Sequence, residues 1–258
     1  MDLKELIKKI EEDARFCGQI FYNADRSSLD ISSKEGQNNF VTKYDKMVQE
    51  EIKKRLAVTF PDAVFVGEEE AEHAPVDKGW VFVVDPIDGT ANFIRDFHMS
   101  CISIALLKDG DPVLGVIYNP YAEEMFTAIK GEGAFLNGEP IHVSDKELSG
   151  GFIIFGSASY YDDIRDKSYE ILSRYEKKAL DTRRSGSAAL DMCAVACGRA
   201  EMFFELRLCP WDYAAAGLLV KEAGGAAHRI EGGDLTYDRN CSVFAANALC
   251  KDEWKNMV

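Results

Sequence analysis

The stretch Trp80-Val81-Phe82-Val83-Val84-Asp85-Pro86-Ile87-Asp88-Gly89-Thr90-Ala91-Asn92-Phe93 decides the reading of this chain. Five apolar residues, all β-branched or aromatic, form a buried-strand pattern that runs straight into a carboxylate. A carboxylate in that position is costly unless its charge is compensated. Pro86 lacks a backbone donor and stops the ladder. Gly89 permits a tight turn, and Thr90 is placed to cap a helix whose first free N–H groups point back into the loop. Such a helix start attracts anions, phosphate above all. Two carboxylates beside it make chemical sense if cations sit between them; the alternative is an Asx-turn in which Asp85 and Asp88 merely satisfy backbone donors.

Two other segments carry carboxylates that do not read as solvated surface. Val64-Phe65-Val66 leads into Gly67, Glu68, Glu69 and Glu70. A charged turn explains this run by itself, but it follows a strand that precedes 80–85, so Glu68 is placed to converge on Asp85. The second is Pro210-Trp211-Asp212, followed by an Ala-rich helix over 213–223 and a Gly224-Gly225 stop. Asp212 reads as an N-cap, and a helix start there also offers a third carboxylate to a shared metal site. Oxygen ligands without His or Cys suit Mg²⁺ or Mn²⁺ better than Zn²⁺. None of these segments has the residue order of a calcium-binding loop.

Outward from this centre, Leu3, Ile7, Ile10, Ala14, Cys17 and Phe21 form one buried helical stripe. Residues 26–39 are rich in Ser, Gly, Asn and charge and read as a mobile loop. A second helix presents Val48, Ile52 and Leu56 and ends at Pro61. Strand patterns at 63–66, 80–84, 101–107, 113–118 and 124–129 alternate with turn signals, the spacing of a largely antiparallel sheet. Asn137-Gly138 reads as a hairpin turn. A polar stretch at 144–151 marks a change. Beyond it, strands at 152–155, 201–205 and 243–246 alternate with helices near 162–175, 188–197 and 212–223. This predicts α+β followed by α/β in two layered lobes of one unit: an N-terminal lobe, 1–145, with the mobile loop and the main metal and phosphate site, and a C-terminal lobe, 146–258, that supplies Asp212 and substrate contacts.

The chain has 258 residues, with 30 Lys+Arg against 44 Asp+Glu and a formal net charge of −14. That balance excludes a nucleic-acid platform, which needs a concentrated basic surface. The first fifteen residues lack the pattern of a cleaved secretory signal, and no apolar run approaches the ~20 residues that span a bilayer. Seven scattered cysteines, never spaced C-x-x-C, read as reduced thiols of a cytoplasmic protein. Cys193 and Cys197 lie four apart on an Ala-rich helix with no His nearby, and read as core residues rather than a zinc site.

Taken together, the segments resemble the inositol monophosphatase family of the lithium-sensitive, metal-dependent phosphatase superfamily. Residues 80–93 match its first signature, and Trp211-Asp212-Tyr213-Ala214-Ala215-Ala216-Gly217 through Glu222-Ala223-Gly224-Gly225 match its second. Phe40-Val41-Thr42-Lys43-Tyr44-Asp45 and Gly67-Glu68-Glu69 also fit. The resemblance implies a layered α-β-α-β-α sandwich and a Mg²⁺-dependent phosphomonoesterase with two or three Mg²⁺ per subunit, Mn²⁺ being a possible substitute. Glu68, Asp85, Thr90 and the Ile87 carbonyl match the ligands of the first metal, and Asp85, Asp88 and Asp212 those of the second, with a weaker third ion near Glu68. Asp88 and the N–H groups of Gly89 and Thr90 match the phosphate site. Asp45 and Thr90, with Glu68, match the catalytic set that orients and deprotonates the attacking water. Gly186, Ser187, Ala188 and Glu205 match positions that contact the inositol ring, and Lys34 falls in the mobile loop. Asn39 departs from the family, many members having Asp there.

By the same resemblance, a metal-activated water attacks phosphorus in line and a second one protonates the leaving alkoxide. Inositol-1-phosphate is the first-choice substrate, since Thr90-Ala91-Asn92-Phe93 resembles inositol phosphatases. Fructose-1,6-bisphosphate, histidinol phosphate and 3′-phosphoadenosine 5′-phosphate are the alternatives within the class. Outside the class, the alternative is a non-catalytic, metal-responsive binding protein. A homodimer without nucleic-acid or membrane partners, inhibited by lithium, is the family expectation. Four of the chain's negative charges converge at Glu68, Asp85, Asp88 and Asp212, and divalent cations there invert the local sign, so an acidic protein can bind an acidic substrate.

Overall fold

The computed structural model describes residues 2–33, 40–158 and 161–257. In chain order the elements are α1 (Leu3–Tyr22), β1 (Ser32–Ser33), β2 (Phe40–Val41), α2 (Lys43–Thr59), β3 (Val64–Gly67), β4 (Trp80–Asp88), α3 (Thr90–Ile94), β5 (Cys101–Lys108), β6 (Asp111–Asn119) and β7 (Glu124–Ile129). They continue as β8 (Gly133–Leu136), β9 (Glu139–Ile141), β10 (Phe152–Phe155), α4 (Asp162–Tyr175), β11 (Asp181–Arg183), α5 (Ala188–Ala196), β12 (Met202–Leu208), α6 (Pro210–Glu222), β13 (Ala226–His228) and β14 (Cys241–Ala246). A seven-stranded sheet runs in the order β3-β4-β5-β6-β7-β8-β9 and a five-stranded sheet in the order β11-β10-β12-β14-β13.

The first sheet is antiparallel apart from the β3–β4 pair, as the turn spacing predicts. Asn137 and Gly138, both at positive φ (52° and 84°), join β8 to β9, which fits a primed hairpin turn. The second sheet is mixed: β10 pairs in parallel with β11 and β12, while β14 is antiparallel to both its neighbours. The short strands β8, β9, β11 and β13 carry too few residues to show a period of two, and the sequence pattern misses them.

Five layers follow from how side chains alternate. On β4, Phe82 and Val84 join a core with α1 and α2, while Val81 and Val83 join a core with α5 and α6. On β12, Phe203 faces that same central core and Phe204 a third one beneath α4. The order is therefore α1/α2, first sheet, α5/α6, second sheet, α4, the α-β-α-β-α sandwich that the resemblance implies. Strands covered on both faces need continuous apolar runs, which is why 80–84 does not alternate. Each Val, Ile or Phe so buried contributes ~1.5–3 kcal/mol.

The central helices must be apolar all round and thin. Along α6, every residue from Tyr213 to Val220 is buried. A Cβ on Gly115 of β6 would stand 3.0 Å from the Ala215 carbonyl, so α6 lies backbone-close on the sheet and only small residues fit between. Among the described residues, no helix is long and apolar enough to cross a membrane, and all seven cysteines are free, Cys193 lying in the central core.

Candidate metal and phosphate site

The sequence reading ends β4 at Pro86; in the structure the ladder resumes. Asp85 pairs with Ser103 and Asp88 with Cys101, so Pro86 and Ile87 together oppose the single residue Ile102. This bulge corrects the phase of the strand. Residues three apart normally face opposite sides of a sheet, but Asp85 and Asp88 oppose partners two apart and share one face. Cys101 lies in the central core, which identifies that face as the one turned to α5 and α6.

β3 brings up Glu68. Its parallel register sets Gly67 against Val84, and Glu68 N donates to the Val84 carbonyl (3.1 Å), so Glu68 lies beside Asp85 at the same strand end. Asp212 arrives from α6. The helix begins three residues earlier than an Asp212 cap implies, with Pro210 at its first position and Cys209 as N-cap. Asp212 is thus the third helical residue rather than the cap, and its Oδ2 accepts from Cys209 N at 2.7 Å. His73, whose Nε2 lies 3.0 Å from the Gly67 carbonyl oxygen, packs its ring 4.9 Å from that of Trp211, so the Glu68 turn is braced against the start of α6.

Asp85, Asp88 and Asp212 each present an oxygen within 4.8 Å of the others, with no His or Cys ligand among them. The donors to Asp88 Oδ2 include the Ser187 hydroxyl (2.5 Å), Ala189 N (2.8 Å) and the Cys101 thiol (3.7 Å), all neutral. Burial, opposed by these donors and reinforced by Glu68, pushes the Asp88 carboxyl up to about 6. Asp212 is held well above the usual carboxylate range by burial and then by the charges of Asp88 and Glu68. Crowded oxygens with neutral donors fit a hard divalent cation, which removes their repulsion.

Thr90 also departs from the sequence reading. Gly89, at φ 87°, is the N-cap of the five-residue α3, and Thr90 is its first helical residue. The Thr90 hydroxyl lies 3.0 Å from Asp45 Oδ1 and 3.1 Å from the Ile87 carbonyl, both acceptors. Asp45 is 1% exposed and opens α2 in a capping box, its Oδ2 accepting from Thr42 N and Oγ1 at 2.7 Å each. Burial holds its carboxyl above the usual carboxylate pKa range, against the Thr42 bonds.

A cavity of about 190 Å³ gathers most of the expected residues: Glu68, Asp85, Ile87, Asp88, Gly89, Thr90, Gly186, Ser187, Ala188, Glu205 and Asp212 all line it. Lys34 and Asn39 lie outside the described residues. Ser187 differs from the other expected ring contacts, being fully buried with its hydroxyl spent on Asp88. Glu205 accepts from Ala158 N at 3.1 Å and is pushed up to about 7 by burial, with Arg184 acting against that. The sequence reading passes over Asp191, a 4%-exposed cavity residue held well above the usual range by burial, and Asn92, whose amide donates to the Met99 and Ser185 carbonyls. A lone acid inside the apolar run of α5 is the signal that marks Asp191.

The inositol monophosphatase family model matches residues 2–257. The chain belongs to the inositol monophosphatase family. It is 38% identical to inositol monophosphatase 2 of Solanum lycopersicum, over 99% of this chain and 98% of that protein. It is 37% identical to the Nus factor SuhB of Escherichia coli K12, over 84% of this chain and 81% of that one. The crystal structure of the extragenic suppressor protein suhB from Bartonella henselae superposes with a TM-score of 0.90 at 32% identity, covering 98% of each chain. The five-layered architecture is thus that of this family's solved structures, and a phosphatase of this fold is what the named monophosphatases support.

Proposed function

We propose that the chain is a Mg²⁺-dependent phosphomonoesterase that hydrolyses inositol-1-phosphate to inositol and phosphate. The observation that carries this reading is the convergence of Asp85, Asp88 and Asp212, with only neutral donors to Asp88, on a cavity also lined by Gly89 and Thr90. Asp85, Asp88, Asp212, Glu68 and the Ile87 carbonyl would hold two or three Mg²⁺, with Mn²⁺ as a substitute and lithium as a competitor at one position. When bound, such a cation supplies Lewis-acid polarisation of the phosphoryl oxygens and of water.

The remaining chemistry belongs to the chain. Thr90 donates its hydroxyl proton to Asp45, which leaves the Thr90 oxygen free to accept a proton from the attacking water. Asp45, buried and fixed on its other oxygen by Thr42, is the sink for that proton. As the water oxygen bonds phosphorus, the bond from phosphorus to the ester oxygen breaks and the polyol leaves after taking up a proton from water. The Gly89 and Thr90 N–H groups are assigned to the phosphate oxygens. Glu205 and the Gly186–Ala188 backbone position the ring. Lobes 1–145 and 146–258 both line the cavity, which supports their reading as two halves of one site. The protein is further proposed to be a cytoplasmic homodimer.

Phosphate release from inositol-1-phosphate, fructose-1,6-bisphosphate, histidinol phosphate and 3′-phosphoadenosine 5′-phosphate, with and without Mg²⁺, tests this. The fastest Mg²⁺-dependent turnover is expected with inositol-1-phosphate; if it is the poorest of the four, the substrate assignment is wrong. A second reading has one observation in its favour, that a 37%-identical relative bears the name Nus factor. On that reading the fold serves binding rather than turnover, and no phosphate is released from any of the four.

A further inference from the structure

Asn92 sits in α3, between the turn assigned to phosphate and the segment assigned to the ring, and is not among the residues that line the cavity. Its Nδ2 donates to the Met99 carbonyl at 2.7 Å and to the Ser185 carbonyl at 2.9 Å. A primary amide has two N–H donors, so both are spent, and two carbonyl acceptors at one end identify that end as the nitrogen. The acceptors belong to different parts of the chain. Met99 leads into β5, the strand paired with the one that carries Asp85 and Asp88. Ser185, 93 residues from Asn92, precedes Gly186 and the start of α5.

Ser185 is a node within its own segment. Its Oγ accepts from Ser187 N at 3.0 Å, and its side chain and N–H both bond Asp191, one turn into α5. Its carbonyl takes a bond from outside the segment, from Asn92. Packing is close at the same place. Gly186 has φ 87°, and a Cβ there would stand 3.3 Å from Asn92 Nδ2; a Cβ on Gly89 would stand 2.8 Å from the same Met99 carbonyl oxygen and 3.3 Å from Ser187 Cβ. The Ser187 hydroxyl and Ala189 N tie this segment to a single oxygen of Asp88. Bonds that share one acceptor atom leave a pivot. The bond from Asn92 to Ser185 supplies a second, separate point of attachment and removes it.

We infer that Asn92 is a positioning residue for substrate selection: its amide sets the register between the phosphate-site turn and segment 186–188, acting through Ser185 without touching substrate. A fixed register matters for an ester that reaches both sides and not for one that reaches the phosphate site alone. This rests on the phosphatase reading above and on its placing of the ring against 186–188.

The test compares inositol-1-phosphate with glycerol-2-phosphate, which share a secondary-alkoxide leaving group and differ in the ring, in the wild type, Asn92→Ala and Asn92→Leu. The ratio of kcat/KM for the ring ester to that for the acyclic one is expected to fall about fivefold in Asn92→Ala, the worth of one net hydrogen bond, with the Mg²⁺ concentration for half-maximal activity within about twofold of the wild type's. Asn92→Leu keeps the approximate shape and removes both donors, so the same fall is expected. A ratio that Asn92→Leu restores shows that the side chain fills space rather than bonds, and overturns the inference; so does an equal loss on both esters, which is a purely structural effect. Calorimetric affinities in Mg²⁺ for the non-hydrolysable phosphonate analogue of inositol-1-phosphate and for methylphosphonate give the corresponding ratio without turnover. If neither ester is hydrolysed, the phosphatase reading falls while the affinity ratio still decides the role of Asn92. A wild-type preference for the ring that Asn92→Ala lowers supports that role, and a preference absent from the wild type or unchanged in the variant overturns it.

Discussion

The Ser187 hydroxyl donates to Asp88 Oδ2 at 2.5 Å from a fully buried position, and the same oxygen accepts Leu190 N at 3.3 Å as the N-cap of α5. One hydroxyl therefore ties a cavity carboxylate to the first turn of the helix that follows the expected ring-contact segment 186–188. Asp88 takes a second bond from Ala189 N in that turn. Movement of the segment and movement of the carboxylate are linked by these bonds.

Ser187→Ala removes the donor and the cap together. A hydrogen bond to a charged group is worth ~1.5–3 kcal/mol, and a helix cap ~1 kcal/mol. Because the hydroxyl faces Asp88, the expected effect is a several-fold higher Mg²⁺ concentration for half-maximal activity, with KM for inositol-1-phosphate at saturating Mg²⁺ little changed. The reverse pattern, a raised KM at unchanged Mg²⁺ requirement, identifies Ser187 as a ring contact instead.

Much of this geometry is legible in the sequence, and the part that is not has a physical cause. Apolar runs such as 80–84 and 101–107 announce strands buried on both faces. The helical stripe from Leu3 to Phe21 announces α1, and the acids at 68, 85, 88 and 212 stand out because they interrupt or follow such runs. The phase of Asp85 and Asp88 is not legible, since a bulge is set by pairing with Ser103 and Cys101, eighteen and thirteen residues away in the same sheet. Asp212 is misplaced by three positions because Pro210 at the first helical position moves the cap to Cys209. Asn92 reads as part of the first signature and no more until the fold sets Ser185, 93 residues on, against its amide.

Asp212→Asn is expected to abolish most activity while leaving the fold intact. The amide oxygen can still accept from Cys209 N, so the capping box survives. One negative charge is removed from a cluster in which Asp88 and Glu68 already disfavour ionisation of Asp212, so the metal-free variant should be at least as thermostable as the metal-free wild type. Mg²⁺ should then raise its Tm by less than it raises that of the wild type. Wild-type hydrolysis by the variant removes Asp212 from the proposed metal site.

Burial of the cavity carboxylates sets a pH dependence. Asp88 and Glu205 are raised by burial to about 6 and about 7 in the folded protein, against ~4 in an unfolded chain. Between these values the folded state holds more protons than the unfolded one, so the stability of the metal-free protein falls as pH rises from ~4 to 7. A divalent cation bound at Asp88 favours its ionised form and offsets the share of that loss that Asp88 contributes. The Tm gained on adding Mg²⁺ should therefore grow between pH 5 and pH 7.5, as thermal melts in Mg²⁺ and in chelator will show. A gain that is constant or that shrinks over this range means the cation does not bind Asp88.

Gly89 lets the chain turn from the strand into α3, and two separate costs attach to a side chain there. Its φ of 87° is a conformation that costs an L-residue ~1–2 kcal/mol. In addition, a Cβ would stand 2.8 Å from the Met99 carbonyl oxygen, a backbone atom that cannot rotate away. Gly131 has nearly the same φ, 83°, but nothing within 4 Å of a built Cβ, so Gly131→Ala bears the conformational cost alone. Gly89→Ala should lower Tm further than Gly131→Ala, at ~2–4 °C per kcal/mol for a chain of this size. It should also cut kcat, since shifting Gly89 displaces the Thr90 hydroxyl from Asp45, whereas Gly131→Ala should leave kcat unchanged. Equal loss of Tm in the two variants means that the Met99 carbonyl yields, and that the turn is less rigid than its contacts imply.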